Sequence, residues 1–222
     1  MSSPRITIDV FSDYVCPFCY LEEPELEALK ARFGEAIDIR WRAFELRPEP
    51  APTLEPDGDY LHDIWGRAVY PMAEERGMTL HLPRIQPRSR LAHEATAWAR
   101  DVDAQSTDEK TATVEDIDAA DTLRSALFRG FFEDSLDLAD PTALVAVAND
   151  LGLDGESLEK ALDERRYREQ VLADQQAAQE LGIQGVPGLR FSLNGEHAGI
   201  LEGAQPRRQL LLAVERLLDL MD

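Results

Sequence analysis

Two cysteines are all that the 222 residues contain, and they stand three residues apart, at Cys16 and Cys19. So close a pair encloses no long loop, which excludes a framework stapled by disulfides and leaves stability to packing. Lysine is almost as scarce, with Lys30, Lys110 and Lys160 alone. Set against 43 acidic residues, the 23 basic ones leave a formal net charge of −20. No basic patch is on offer for the phosphates of a nucleic acid, so no nucleic-acid partner is expected. Long apolar runs are missing too, which excludes a membrane-spanning helix. The opening MSSPRITIDVF has none of the basic, apolar and small-residue zones of a secretory signal, so a cytoplasmic protein without a membrane partner is expected. His62, His81, His93 and His197 are scattered without ligand spacing, and no metal site is expected.

What is present is a chain with 44% hydrophobic residues, long enough for a sizeable core carrying an insertion. Residues 5–11 alternate Ile6, Ile8 and Val10, the period of a strand. Pro17 suits a first helical turn, and the spacing of Leu26 and Leu29 predicts a helix over 21–32, closed by Gly34. Ile37, Ile39, Trp41 and Ala43 predict a second strand over 36–46. A strand–helix–strand unit of this kind implies a parallel pair. After a linker rich in proline and acid at 48–58, helical spacing takes over. Segments 91–100, 117–132, 141–151 and 157–181 read as helices, while 101–116 is too polar to assign. Strands at 189–193 and 197–201 flank the turn signal Asn194-Gly195, and 204–220 closes the chain as a helix. The fold class is therefore α/β. One mixed sheet is built from 1–48 and 183–222, with a helical subdomain at 59–182 between its halves.

The CPFC sequence thus sits where a strand feeds a helix. Unpaired N–H groups and the helix dipole favour negative charge there, which suits Cys16 to act as an attacking thiolate. One turn later, Cys19 is placed to attack a mixed disulfide formed on Cys16. A lone CxxC is also half of a zinc site, but the strand before it and the helix after it favour redox chemistry. Far along the chain, GVP at 185–187 precedes a strand. A cis bond at Pro187 would leave the Val186 backbone free to pair with an extended substrate. Pro17 and Phe18 fall in the turn that faces such a substrate, with Phe18 read as exposed. Asp13 reads as a helix cap, and Glu22 as a solvating or proton-shuttling group. Trp41, Trp65 and Trp98 read as core. Arg124, Phe128, Phe131 and Phe132 share one helix that either packs in the core or forms a lid over the cysteines.

Together, the 5–11 strand, CPFC, Pro24 five places after Cys19, GVP, the hairpin and the terminal helix resemble the thioredoxin fold. The opening SDYVCPFCY and the large helical insertion are similar to the DsbA-like group that holds FrnE-type oxidoreductases and 2-hydroxychromene-2-carboxylate isomerases. That resemblance implies a thioredoxin fold with a helical insertion, Cys16 as nucleophile, Cys19 as resolving thiol and Val186–Pro187 as the cis-proline loop. It also implies thiol–disulfide exchange on a protein or small-molecule thiol or disulfide, with no bound cofactor. Phe18 stands where DsbA carries a histidine, and it has no hydrogen bond to donate to a thiolate. The related isomerases usually carry serine at the nucleophile position and use glutathione, so the cysteine pair fits a dithiol role better. A glutathione-type isomerase or transferase, and a binding or chaperone-like module without turnover, are the alternatives.

An acidic surface of this kind suits a halophile, because concentrated ions screen self-repulsion and carboxylates hold water. Such an adaptation predicts a thermal midpoint that rises between low and molar salt, measured by circular dichroism. A midpoint that falls would contradict it.

Overall fold

The computed structural model describes residues 6–108 and 118–220. Arg5 of the first expected strand, Ile117 of an expected helix and the second half of the polar stretch 101–116 lie outside the described residues.

β1 (Ile6–Ser12) pairs with β2 (Ile37–Ala43) in parallel, and α1 (Pro17–Phe33) connects them. β3 (Gly188–Leu193) pairs antiparallel with β1 on its other side and with β4 (Glu196–Glu202), so the sheet runs β2-β1-β3-β4. The hairpin turns at Asn194 and Gly195, both with positive φ (52° and 86°), the conformation that Asn-Gly adopts readily between two strands. With a neighbour on each side, β1 buries residues on both of its faces. That includes Asp9, which meets Arg42 of β2 at 2.9 Å and Arg190 of β3 at 3.2 Å. One buried carboxylate thereby ties three strands together across their register.

Between β2 and β3 runs the helical block. It comprises α2 (Asp59–Ile64), a π-helical turn at Trp65–Val69, α3 (Tyr70–Arg76), α4 (Arg90–Asp108), α5 (Ala119–Asp134), α6 (Pro141–Asp150), α7 (Gly155–Asp163) and α8 (Arg168–Glu180). α9 (Arg207–Asp219) ends the fold. Three expectations change. The second strand stops at Ala43, because beyond it Leu46 N–H donates to Asp13 and Glu45 N–H to Gln175, side chains rather than a neighbouring strand. The helix expected at 91–100 continues to Asp108. The single helix expected over 157–181 is two, broken where Arg165 takes a φ of +51° and grips the buried Glu94 of α4 with contacts down to 2.6 Å. Apolar periodicity runs straight through that break, since the force that bends the chain is a charge pair with another helix.

Two apolar clusters result. One sheet face packs Ile6, Ile8, Val10, Leu189 and Phe191 against Leu26 and Leu29 of α1 and Leu210 and Val214 of α9. The other joins Cys16, Cys19 and Tyr20 to Trp65, Trp98, Phe128, Phe131 and Phe132 of the helical block. Trp41 is not a core residue. It is half-buried, with the Arg124 guanidinium 4.0 Å above its ring.

Glu22 of α1 is fully buried, accepting from Arg76 at 3.0 Å and from Gln205 N–H at 3.1 Å. Burial pushes its pKa up from 4.5 to about 7, against the pull of Gln205 and Arg76. Between those values the folded state holds a proton that the unfolded chain has released, so stability falls as pH rises from 4.5 through about 7. Glu22→Gln should flatten this part of the curve of thermal midpoint against pH. Parallel curves for variant and wild type would show that Glu22 does not titrate in this window.

Candidate active site

β1 ends at Ser12, and the backbone turns so that Cys16 N–H donates to the Asp13 carbonyl at 3.1 Å. Cys16 is the N-cap of α1, with Pro17 in the first turn, where its missing N–H costs nothing. No side chain caps this helix; Pro17 has no N–H and Cys19 N–H donates to the Cys16 carbonyl at 3.1 Å, so among the described residues the Phe18 N–H is left without a partner at the Cys16 end. Asp13 is not the cap that its position suggests. Its Oδ2 accepts from Leu46 N–H at 2.7 Å, and its Oδ1 faces His93 Nε2 at 3.6 Å.

The two sulfurs have different surroundings. Cys16 is 5% exposed and lines a cleft, whereas Cys19 is fully buried one turn behind it. Burial, and next the neighbouring Cys16, hold the Cys19 thiol well above its ordinary pKa, with Ser12 and the Asp13 backbone pulling weakly the other way. Cys19 is thereby kept as a neutral thiol until something removes its proton.

The segment before β3 comes up beside Cys16. The Val186–Pro187 peptide is cis, and the Val186 carbonyl accepts from Cys16 Sγ–H at 3.5 Å. Among the described residues the Val186 N–H has no partner. Glu202 of β4 holds this loop by accepting from Gln184 N–H at 2.8 Å and Gly185 N–H at 3.4 Å. Gly203 N–H donates to the Pro187 carbonyl at 2.8 Å. Gly188 must lack a side chain, because a Cβ there would stand 2.7 Å from Ile183 Cγ2.

The cleft measures about 210 Å³. Cys16, Pro17, Phe18 and Val186 line it, while Pro187 and Cys19 are not among its described lining. Phe18 is half-buried there rather than fully exposed. Its far wall comes from Tyr60, Ile64, Trp65 and Phe132 of the helical block, with Leu46 and Arg47 from the segment after β2. Of the aromatic residues on α5, Phe132 alone is among the described lining; Phe128 and Phe131 are core, and Arg124 turns away to Glu23. Glu22 faces Arg76 and Gln205 and makes no hydrogen bond to either cysteine among the described residues. Periodicity had no signal for Tyr60, Arg47 or Gln86, which stand on short or irregular segments. Among the described residues no group of three or more His, Cys, Asp or Glu is placed to hold a metal ion, and no helix is long and apolar enough to cross a membrane.

A mixed sheet ordered β2-β1-β3-β4, a Cys-x-x-Cys helix connecting its parallel pair β1 and β2, and a helical block inserted before the hairpin together define a thioredoxin fold with a helical insertion. Residues 7–215 match the DSBA-like thioredoxin domain, and the chain belongs to that family. It is 31% identical over 186 residues to the uncharacterized protein YwbO of Bacillus subtilis (strain 168), covering 82% of this chain and 84% of that protein. In structure it is similar to a probable DsbA oxidoreductase from Streptomyces coelicolor, with a TM-score of 0.70 and 23% identity over 96% of this chain and 90% of the other. It is also similar to a 2-hydroxychromene-2-carboxylate isomerase, with a TM-score of 0.69 and 21% identity over 96% of each chain. Members of this family are generally oxidoreductases or isomerases, and DsbA-like proteins act on thiol or disulfide substrates.

The unequal burial of the sulfurs predicts unequal labelling. In the reduced native protein, iodoacetamide should modify Cys16 readily and Cys19 only after unfolding, read by peptide mass spectrometry. Equal native labelling would show that Cys19 is not shielded.

Proposed function

We propose that this protein is a dithiol–disulfide oxidoreductase in which Cys16 attacks and Cys19 resolves. The observation that carries this reading is the arrangement of Cys16 at the start of α1, 3.5 Å from the Val186 carbonyl and open to a cleft, with Cys19 sealed behind it. Cys16 thiolate displaces one sulfur of a substrate disulfide and forms a mixed disulfide. Cys19 then displaces the substrate from Cys16, leaving an oxidised CPFC and a released substrate thiol; the reverse sequence oxidises a substrate dithiol. The unpaired N–H of Val186 and its carbonyl offer an extended substrate backbone the two contacts of one strand pairing. A cytoplasmic setting favours the reducing direction.

The cleft also bears on the substrate. Its described lining is apolar and aromatic, and Arg47 is the only Lys, Arg, Asp or Glu among it. Arg47 is half-buried and makes no ion pair among the described residues. On a chain of net charge −20, one cation in the cleft that Cys16 lines selects a disulfide whose leaving half joins an apolar body to a carboxylate.

Insulin reduction with dithiothreitol tests the exchange. Wild-type protein should accelerate it, Cys16→Ser should fall to the uncatalysed background, and Cys19→Ser should trap a mixed disulfide. Activity that survives Cys19→Ser on a small thiol substrate would favour the isomerase reading, and function in a cysteine-free protein would favour the binding module. For specificity, Arg47→Gln should lower the rate with dithiobis-nitrobenzoate about fivefold relative to neutral dithiodipyridine, the worth of one partly exposed ion pair. An unchanged ratio would remove Arg47 from substrate selection.

A further inference from the structure

Between the end of α8 and the start of β3 the chain is tied down on either side of the residues that border Cys16. Ile183 N–H donates to the Ala178 carbonyl at 2.9 Å, and the Pro187 carbonyl accepts from Gly203 N–H at 2.8 Å. Across Gln184, Gly185 and Val186 the backbone has two further hydrogen-bond partners among the described residues. One is Cys16, whose Sγ–H reaches the Val186 carbonyl. The other is Glu202, whose Oε1 accepts from both Gln184 N–H and Gly185 N–H, at 2.8 and 3.4 Å. The first partner is lost during reaction, because a Cys16 thiolate or mixed disulfide has no proton to donate. Packing does little for the loop before Val186, since Gln184 is exposed and a Cβ built on Gly185 would meet nothing within 4 Å.

The Glu202 carboxylate has no other engagement. It stands exposed at the end of β4 and makes no ion pair among the described residues, so its hydrogen bonds go to this loop alone. The backbone that carries it is anchored. Gln205 Nε2 donates to the Glu202 and Gly203 carbonyls at 2.9 and 2.8 Å, and Gln205 N–H donates to the fully buried carboxylate of Glu22 on α1. A charged acceptor on a fixed base therefore sets where the loop stands relative to the helix that begins at Cys16.

We propose that Glu202 is a positioning residue for polypeptide substrates: by holding Gln184 and Gly185 it presents the Val186 N–H and carbonyl to an extended chain whose disulfide Cys16 attacks. This rests on the exchange reaction proposed above and names the substrate class that the docking edge serves. In the attack Cys16 Sγ bonds to the peptide sulfur, the peptide S–S bond breaks, and the other half leaves as a thiolate. With the Cys16 proton gone, the Val186 carbonyl accepts from a peptide N–H while the Val186 N–H donates to a peptide carbonyl, one unit of strand pairing. A small disulfide without a peptide backbone gains nothing from that edge. Without the carboxylate the loop must be ordered at the moment of docking, and that cost falls on binding rather than on the sulfur chemistry.

Two probes with one leaving group test this by stopped flow: dithiobis-nitrobenzoate, and a short extended peptide whose single cysteine is disulfide-bonded to thionitrobenzoate. Thionitrobenzoate is the more acidic thiol of the peptide probe, so it is the half that leaves, and its colour reports Cys16 attack in both cases. Glu202→Ala should raise the half-saturating concentration of the peptide probe about fivefold, with little change in its limiting rate, and lower its rate relative to dithiobis-nitrobenzoate by the same factor. Glu202→Gln keeps an acceptor oxygen and should recover most of that loss. An unaltered ratio between the probes in Glu202→Ala would overturn the proposal, as would equal losses on both, which mark a merely structural role, or a Glu202→Gln protein as impaired as Glu202→Ala. No thionitrobenzoate release from either probe by the wild-type protein would overturn the exchange reaction, and this proposal with it.

Discussion

The antiparallel pairing of β1 with β3 brings together the two segments on which the site depends. Phe11 lies opposite Gly188 and Val10 opposite Leu189, so the loop ahead of β3 arrives beside the first turn of α1. In that register the Val186 carbonyl reaches the Cys16 sulfur across 170 positions of sequence. Asp9 secures the arrangement from inside the sheet, since its carboxylate faces Arg42 on one side and Arg190 on the other. A slip of one residue would turn Asp9 into an apolar layer and separate the loop from the sulfur. The closeness of Gly188 to Ile183 and the grip of Glu202 on the loop serve the same register from the β4 side.

Once the loop and helix are so placed, the inserted helices determine what surrounds each sulfur. The apolar cluster that buries Cys19 is the one that includes Trp65, Phe128 and Phe132, and Tyr20 stacks on Phe128 and Phe132 with ring centroids 5.6 Å away. Burial and the adjacent Cys16 keep Cys19 neutral, while Cys16 borders open space. Two chemically identical side chains thereby acquire different surroundings from their positions one helical turn apart. The same helices join β2 in lining a small polar cavity next to Ser12 with Arg42, Arg100 and Arg124.

Much of this was legible where local pattern and local structure coincide. The alternation at Ile6, Ile8 and Val10, Pro17 after Cys16, and Asn194-Gly195 each act over a few residues, and each stands in the element expected of it. Legibility failed where a distant partner overrides the local signal. Asp13 has the position of a cap and is claimed by Leu46. Trp41 has the spacing of a core residue and is half-covered by a guanidinium from α5. Residues 157–181 keep helical periodicity through a break that Glu94, on another helix, holds open. Arg47, Tyr60 and Gln86 carry no pattern at all, because a cleft wall selects residues by where they meet in space.

Sequence by itself determined the dithiol: which two residues, on which turn, at the start of a helix that follows a strand. These are properties of neighbouring residues, governed by backbone geometry and the helix dipole, and they need no knowledge of the rest of the chain. Tertiary structure alone decided which sulfur is sealed in, which carbonyl stands beside the one at the cleft, and which charged and polar groups converge around them. Those depend on burial and on approach between segments far apart in sequence, and desolvation and contact arise only when the whole chain has packed.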